Sequence, residues 1–106
     1  MDDLDTPALW VDLDQLERNI ILLANFFQKA DVNWRPHIKG IKIPAIAHKA
    51  VHAGAIGVTC AKVSEAEVMA WADITDILIA NQVVGTAKIR QLVDLAGQAT
   101  VRSVVD

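Results

Sequence analysis

Several features that would assign this sequence to a common class are missing or nearly so. A single cysteine, Cys60, among 106 residues excludes an internal disulfide and fits a reducing cytoplasm. Uninterrupted apolar runs, such as IILLA at 20–24, are far shorter than the roughly 18 residues of a membrane span. The 10 lysines and arginines form no block, which predicts neither a nucleic-acid partner nor binding to an anionic membrane. The acidic start MDDLDTP lacks the pattern of a secretory signal, so we expect a soluble, cytoplasmic protein.

Glycine-rich phosphate loops are missing as well. The five glycines match neither GxGxxG nor GxxxxGK[ST], the motifs that usually mark doubly wound nucleotide-binding folds. Hydrophobic residues, by contrast, make up 53% of the chain and its mean hydropathy is +0.30, so we expect a folded core rather than disorder. At this length the core belongs to one domain.

Short β-branched runs alternate with helical segments along the chain. Asp14 and Glu17 have the form of a capping pair, and the apolar residues after them recur at helical spacing, which predicts a helix at about 15–30. Ser64 and Glu67 form a second capping box. We predict strands at 7–13, 32–39, 57–62, 77–82 and 100–105, and further helices at 43–54, 64–72 and 86–97.

This alternation predicts an α/β fold with a parallel sheet, because right-handed crossovers through helices connect parallel strands. Two architectures fit the order. One is an open doubly wound sheet. The other is part of a (β/α)8 TIM barrel, in which 1–31 supply a leading strand and helix and 32–106 supply about four βα repeats. The missing glycine loops favour the barrel.

The stretch WRPHIKGIK at 34–42 places several charges on a predicted strand. Alternation along the strand puts Arg35, His37 and Lys39 on one face. In a barrel that face is the interior, and Lys39 lies at the C-terminal rim, where barrel enzymes place their active sites. Buried charges are costly unless they are paired or bind a ligand, which favours a functional site. The alternative is an exposed edge strand with solvated charges, which Pro36 supports because proline removes a ladder hydrogen bond.

The whole chain resembles the N-terminal part of a known enzyme family. The residues that carry the resemblance are TPALWVDLDQLERNI, RPHIK, GAIGVTCAKVSEAEVM and DILIANQVVG. They are similar to the D-threonine aldolase and D-serine dehydratase family, within the alanine-racemase-like, fold-type III class of pyridoxal-phosphate enzymes. The racemase pattern VKANAYGHG is absent, as is every tyrosine, which argues against a racemase.

The resemblance implies a cofactor site around Lys39. In the family the lysine of RPHxK carries the pyridoxal phosphate, and the usual RPHxKTHK has Thr and His where this chain has Gly40 and Ile41. The resemblance also implies a lyase that acts on β-hydroxy D-amino acids, by retro-aldol cleavage as in D-threonine aldolase or by elimination as in D-serine dehydratase. Both reactions use the cofactor as an electron sink for the bond that breaks at Cα.

Four other residues are candidates for this site. His37 shares the face of the cofactor lysine, and we expect it to orient that lysine or relay a proton, with a packed interior histidine as the alternative. Arg35 lies on the same face and is a candidate cofactor ligand. Thr59 and Gln82 fall near the C-terminal ends of predicted strands, at the level of cofactor contacts. Asn81 is an alternative to Gln82, because neighbouring residues of a regular strand point to opposite faces.

Other polar residues have simpler interpretations. His48 and His52 are one helical turn apart, a spacing that can hold a metal, but no acidic third ligand is nearby and a solvated helix face is favoured. Cys60 is expected to be a small packed residue. Lys42 and Glu65 are interpreted as surface charges.

Length limits the functional prediction. A complete barrel needs roughly 250 residues. The resemblance implies that the phosphate-binding loops and the divalent-metal ligands of the family come after residue 106, so we expect no metal site in this chain. We therefore expect an incomplete chain of a pyridoxal-phosphate lyase, and the alternative is a non-catalytic truncated fragment or self-associating half-barrel. The uncovered inner face and open strand edges of a partial barrel predict a homodimer or other self-association.

Overall fold

Three parallel strands form the sheet of the computed structural model, which describes residues 4–106. The strands are β1 (Val58–Cys60), β2 (Asp76–Gln82) and β3 (Thr100–Val104), in the spatial order β1-β2-β3. A helix connects each strand to the next, and the order is therefore the one expected from consecutive right-handed crossovers. The alternation of strand and helix predicted for this part of the chain is confirmed.

Four helices accompany the sheet. They are α1 (Leu13–Lys29), α2 (Pro44–His52), α3 (Val63–Trp71) and α4 (Thr86–Ala96). Proline at the first position of α2 confirms the predicted start of that helix, since proline there loses no intrahelical hydrogen bond. No helix in 4–106 is long and apolar enough to cross a membrane.

The core lies on one face of the sheet. Ile77 and Ile79 of β2 are fully buried there against Met69 of α3 and Leu95 of α4. Burying a side chain of this size contributes about 1.5–3 kcal/mol, so these contacts fix the helices to the sheet. Residues of α2, α3 and α4 belong to one core cluster, whereas an open doubly wound sheet would carry helices on both faces.

The segment before α1 does not form the predicted strand at 7–13. A strand needs a neighbouring backbone to bond, and no such neighbour lies beside these residues in the described part of the chain. The predicted Asp14–Glu17 cap is also wrong. Asp12 is the N-cap instead, and its carboxylate accepts the backbone N–H of Gln15 at 2.9 Å, so the helix begins two residues earlier than expected.

The predicted strand at 32–39 is reduced to one parallel bridge between His37 and Thr59. The Thr59 N–H donates to the Pro36 carbonyl at 2.8 Å, and the Ile38 N–H donates to the Thr59 carbonyl at 2.9 Å. Pro36 has no N–H of its own, which limits the ladder. The segment therefore runs beside β1 at the position predicted for the first strand, without forming a regular strand.

The sheet face opposite the core carries mixed side chains. By alternation from the buried positions, it presents Arg35, His37, Thr59, Asp76, Leu78 and Arg102. It is polar in large part, because four of these six residues carry a charged or titratable side chain. We call it the helix-free face.

Candidate functional site

Lys39 lies in a tight turn directly after the segment that pairs with β1. The backbone N–H groups of Ile41 and Lys42 both donate to the Ile38 carbonyl, at 3.0 and 2.8 Å. Lys42 ends the turn with a φ of 57°, a left-handed conformation that stops helical propagation. The side chain of Lys39 is exposed and makes no ion pair or hydrogen bond with any residue in 4–106. Its primary amine is therefore available at the carboxyl edge of the sheet.

His37 contacts the backbone of this turn. The Lys39 N–H donates to His37 Nδ1 at 3.2 Å. A ring nitrogen that accepts a hydrogen bond carries no proton, so the neutral ring bears its proton on Nε2. His37 thus orients the backbone of Lys39, and its Nε2–H, which has no hydrogen-bond partner within 4–106, can donate on the helix-free face.

Arg35 lies at the other end of the sheet. Its guanidinium donates to the Asp76 carbonyl oxygen at 3.0 Å and pairs with the Asp76 carboxylate at 2.9 Å. Asp76 is the first residue of β2 and also pairs with Arg102 at 2.5 Å. Arg35 is therefore held at the amino end, away from the turn that carries Lys39. A cofactor contact by Arg35 stays a prediction, and these contacts do not support it.

Thr59 and Gln82 lie on different strands. Thr59 is buried in β1 at the level of His37, so these two residues are neighbours on the helix-free face. Gln82 ends β2, where its amide donates to Asp106 at 3.0 Å. A register irregularity between Ile79 and Gln82 breaks the strict alternation on which the choice between Asn81 and Gln82 depended. The cofactor roles of Thr59 and Gln82 stay predictions.

Glu65 is the residue that sequence reasoning missed. The predicted Ser64–Glu67 capping box is wrong, because Lys62 is the N-cap of α3 and makes no side-chain capping bond. Glu65 is only 7% exposed, which contradicts its interpretation as a surface charge. One oxygen accepts the Ala61 N–H at 2.8 Å and the other pairs with Lys42 Nζ at 3.2 Å. Lys42 is confirmed as largely exposed, but its charge has a buried partner.

The environment of Glu65 favours its charged form. Burial by itself would raise the pKa of Glu65, but the hydrogen bond from Ala61 and the positive charges of Lys42 and Lys62 outweigh burial and hold the pKa below its ordinary 4.5. A carboxyl whose pKa is lower in the folded chain stabilises the fold above its unfolded pKa. That contribution is lost as the pH falls through the folded value.

We therefore expect Glu65→Gln to lower the free energy of unfolding by about 1–2 kcal/mol at neutral pH, because the charged hydrogen bonds are weakened. As the pH falls from 4.5 through the lower pKa of the folded state, the variant and the parent should converge, because the folded parent then protonates Glu65. Urea unfolding at a series of pH values measures this. Glu67→Gln is the matched control, since Glu67 makes no ion pair or hydrogen bond in 4–106. Parallel stability curves for Glu65→Gln and the parent would contradict the expectation.

The remaining candidates are structural. His48 Nε2 lies 2.6 Å from the Ala72 carbonyl oxygen and donates to it, so His48 does not lie on a solvated helix face as predicted. Its ring stacks on His52 at 6.0 Å, and no group of three metal-ligating side chains occurs in 4–106.

Cys60 is fully buried in the core, which confirms its prediction as a packed residue. Burial, with the nearby Glu65, raises the pKa of its thiol to about 12, so the thiol is unreactive.

The geometry of the Lys39 turn and sheet can be compared with known proteins. No protein-family model matches the chain. D-threonine aldolase of an Arthrobacter species is 43% identical over 103 residues, which is 97% of this chain. The crystal structure of D-threonine aldolase from Filomicrobium marinum superimposes with a TM-score of 0.94, at 51% identity over 98% of the chain. The chain belongs to the D-threonine aldolase family and corresponds to the N-terminal part of its members.

Three further matches include other named activities. The 3-hydroxy-D-aspartate aldolase of Paracoccus denitrificans is 38% identical over 98% of the chain. The D-threo-3-hydroxyaspartate dehydratase of a Delftia species is 42% identical over 73% of the chain. A variant of a D-threo-3-hydroxyaspartate dehydratase, solved in the metal-free form, has a TM-score of 0.87 at 33% identity over 98% of the chain. The relatives are thus aldolases and a dehydratase.

The chain is much shorter than its relatives. It spans 27% of the Arthrobacter D-threonine aldolase and 20% of the Delftia dehydratase. It likewise covers 28% of the Filomicrobium aldolase chain, whose structure it matches over almost all of its own length. The comparison therefore describes how this quarter folds.

Proposed function

We propose that the chain is the cofactor-bearing N-terminal part of a pyridoxal-phosphate-dependent lyase that acts on β-hydroxy D-amino acids. The observation that carries the proposal is Lys39, whose exposed amine lies at the carboxyl edge of the sheet on a turn bonded to β1. The substrates named for the relatives, D-threonine and the 3-hydroxyaspartates, are all β-hydroxy amino acids, which supports this substrate class. Retro-aldol cleavage and dehydration are both represented among those relatives.

In this proposal the three-stranded sheet is part of a (β/α)8 barrel. Consecutive parallel strands with helices packed on one face are what a barrel wall requires. The helix-free face would then be the interior, which accounts for its paired charges at Arg35, Asp76 and Arg102. The carboxyl edge, where Lys39 and Gln82 lie, would be the rim that holds the active site.

The residues in 4–106 fit one end of the cofactor. Lys39 would hold pyridoxal phosphate through its amine, and the bound cofactor would withdraw electrons from the substrate carbon. His37 would keep the backbone of Lys39 in place and present Nε2–H to the cofactor or substrate. Thr59, buried beside His37, and Gln82 at the end of β2 are the further cofactor contacts in this proposal. We assign no phosphate contact and no metal ligand to these residues; a divalent metal belongs to the remainder of the whole protein.

The proposal includes a cytoplasmic homodimer. Large apolar side chains exposed on α1, at Ile21, Leu22 and Phe26, support association with another surface. The same observation supports the second candidate function, a non-catalytic chain that only self-associates. The two candidates differ in whether Lys39 carries a cofactor.

The test is to locate the lysine that carries the cofactor. The whole protein that contains these residues is loaded with pyridoxal phosphate and reduced with borohydride, which makes the attachment permanent, and its peptides are mapped by mass spectrometry. We expect the label on Lys39, because its amine is exposed and unpaired in 4–106. Lys49 is an internal control, since it is engaged with Glu17. Label on Lys42 or Lys62 alone would overturn the proposal, and an unlabelled oligomer would favour the self-associating alternative.

A further inference from the structure

We propose that the ion pair between Lys42 and Glu65 positions Lys39, by fixing the end of its turn to the loop that follows β1. This inference rests on the cofactor role proposed for Lys39. Lys42 and Glu65 are positioning residues in it, because they act on Lys39 through the backbone of the turn.

The two ends of the turn are held differently. At its start, the Ile38 N–H bonds to the Thr59 carbonyl at 2.9 Å and the Ile38 side chain is buried in the core. Between the ends, Lys39 and Gly40 are exposed, and a Cβ added at Gly40 would have no neighbour within 4 Å. At its end, the bond of the Lys42 N–H to Ile38 is internal to the turn. Helix α2 begins two residues later, at Pro44, and the contact of the Lys42 side chain with Glu65 adds a connection from this end of the turn to the loop after β1.

Glu65 is suited to hold this end in one place. Its carboxylate is 7% exposed, and the Ala61 N–H already occupies one oxygen at 2.8 Å. The second oxygen is aimed at Lys42 Nζ, 3.2 Å away. A buried carboxylate needs its partners, since an oxygen that loses one is left unsatisfied. Ala61 directly follows β1, so the pair joins the Lys39 turn to the carboxyl end of that strand.

The position of the turn matters for the chemistry at Lys39. A lysine amine must approach the carbonyl carbon of its cofactor along a defined path, and a misplacement of about 1 Å can cost about 100-fold in rate. The Lys39 side chain makes no ion pair or hydrogen bond in 4–106 that would set its direction. Its placement therefore depends on the backbone of the turn, which His37 and the Lys42–Glu65 pair hold from two sides.

The experiment compares Lys42→Met, Lys42→Arg and Glu65→Gln with the parent in the whole protein that contains these residues. Hydrogen exchange of the 38–42 peptide, measured without cofactor, reports the turn. The rate at which borohydride traps cofactor on Lys39 reports the positioning of the amine. We expect Lys42→Met and Glu65→Gln to raise the exchange rate and to lower the trapping rate, each by about tenfold, because the charged hydrogen bond between these residues is lost in the first variant and weakened in the second. Lys42→Arg should keep both the exchange rate and the trapping rate near those of the parent, since it keeps the charge opposite Glu65.

Lys29→Met is the matched control, because Lys29 is an exposed lysine in the last turn of α1 without an ion pair in 4–106. It should change neither rate. Exchange of the β2 peptide checks that each variant is folded, and Lys42→Met, at a residue 54% exposed, keeps the test valid if Glu65→Gln does not fold.

The outcomes separate the two proposals. Parent protein trapped at Lys39 with both rates unchanged in Lys42→Met would overturn this inference and leave the proposed function standing. Faster exchange without slower trapping would also overturn it, since the pair would then serve the fold alone. Parent protein that is not trapped at Lys39 would overturn the proposed function, and the positioning role with it.

Discussion

Replacing Lys39 with alanine in the whole protein is expected to lower kcat for a β-hydroxy D-amino acid by about 1,000-fold or more, because groups that act directly on the reacting atoms contribute effects of this size. Lys39→Arg should be equally inactive. Arginine keeps the positive charge, but its guanidinium does not lose its proton in proteins and cannot serve as the amine. An inactive Lys39→Arg would therefore show that the amine, and not the positive charge alone, is required.

The measurement is steady-state turnover of D-threonine, followed as glycine for cleavage and as ammonia for dehydration. Circular dichroism should remain that of the parent, since the exposed Lys39 side chain makes no ion pair or hydrogen bond with the rest of 4–106. Lys29→Ala is the control for removing an exposed lysine elsewhere. If Lys39→Ala retained more than about a tenth of the parent activity, another lysine would carry the cofactor.

Gly57→Ala is expected to destabilise the fold by about 3 kcal/mol or more, the range of effects tied to backbone strain and overpacking. A Cβ at Gly57 would lie 2.5 Å from the Arg35 guanidinium and 2.9 Å from the Asp76 carbonyl carbon. The φ of Gly57, 152°, is a backbone angle that residues with a Cβ rarely adopt, which adds to the cost of the substitution. Because Asp76 belongs to β2, relief of the clash requires the sheet or the Arg35–Asp76 pair to move.

Urea or thermal unfolding of the parent and Gly57→Ala measures this loss. Gly40→Ala is the matched control, since a Cβ at Gly40 meets nothing within 4 Å, and it should change stability by less than about 0.5 kcal/mol. Equal stability of Gly57→Ala and the parent would show that the close approach of Arg35 and Asp76 is absent in solution.

Local signals in the sequence predicted most of the elements. Pro44 and Gly54 bracket α2, and the β-branched runs mark β2 and β3, because these signals act on the residues that carry them. The strand at 7–13 was wrong because a strand depends on a partner that its own sequence does not encode. The cap of α1 fell at Asp12 rather than Asp14, since both residues have the same capping chemistry and the geometry of the chain decides between them.

The site was predictable in part. Alternation placed Arg35 and His37 on one face of the chain, but it could not show that Arg35 pairs with Asp76 at the amino end, because a period of two sets the face and not the partner. Glu65 lies in the first turn of α3, and glutamate is a residue type that is usually exposed. Its burial arises only when α3 packs beside the Lys42 turn, a contact between segments that are distant in sequence.

The double pairing of Asp76 has a consequence for the order in which the chain folds. Arg35 and Arg102 are separated from Asp76 by 41 and 26 positions, so neither contact belongs to a single helix or turn. Contacts of such separation carry a loop-closure cost that local contacts avoid, and they therefore form after the helices have begun to form. During synthesis from the N-terminus, Asp76 can meet Arg35 first and gains its second partner only once residue 102 has left the ribosome. Completion of this three-residue network therefore requires β3 to lie beside β2 and the segment that carries Arg35 to have reached the amino end of β2.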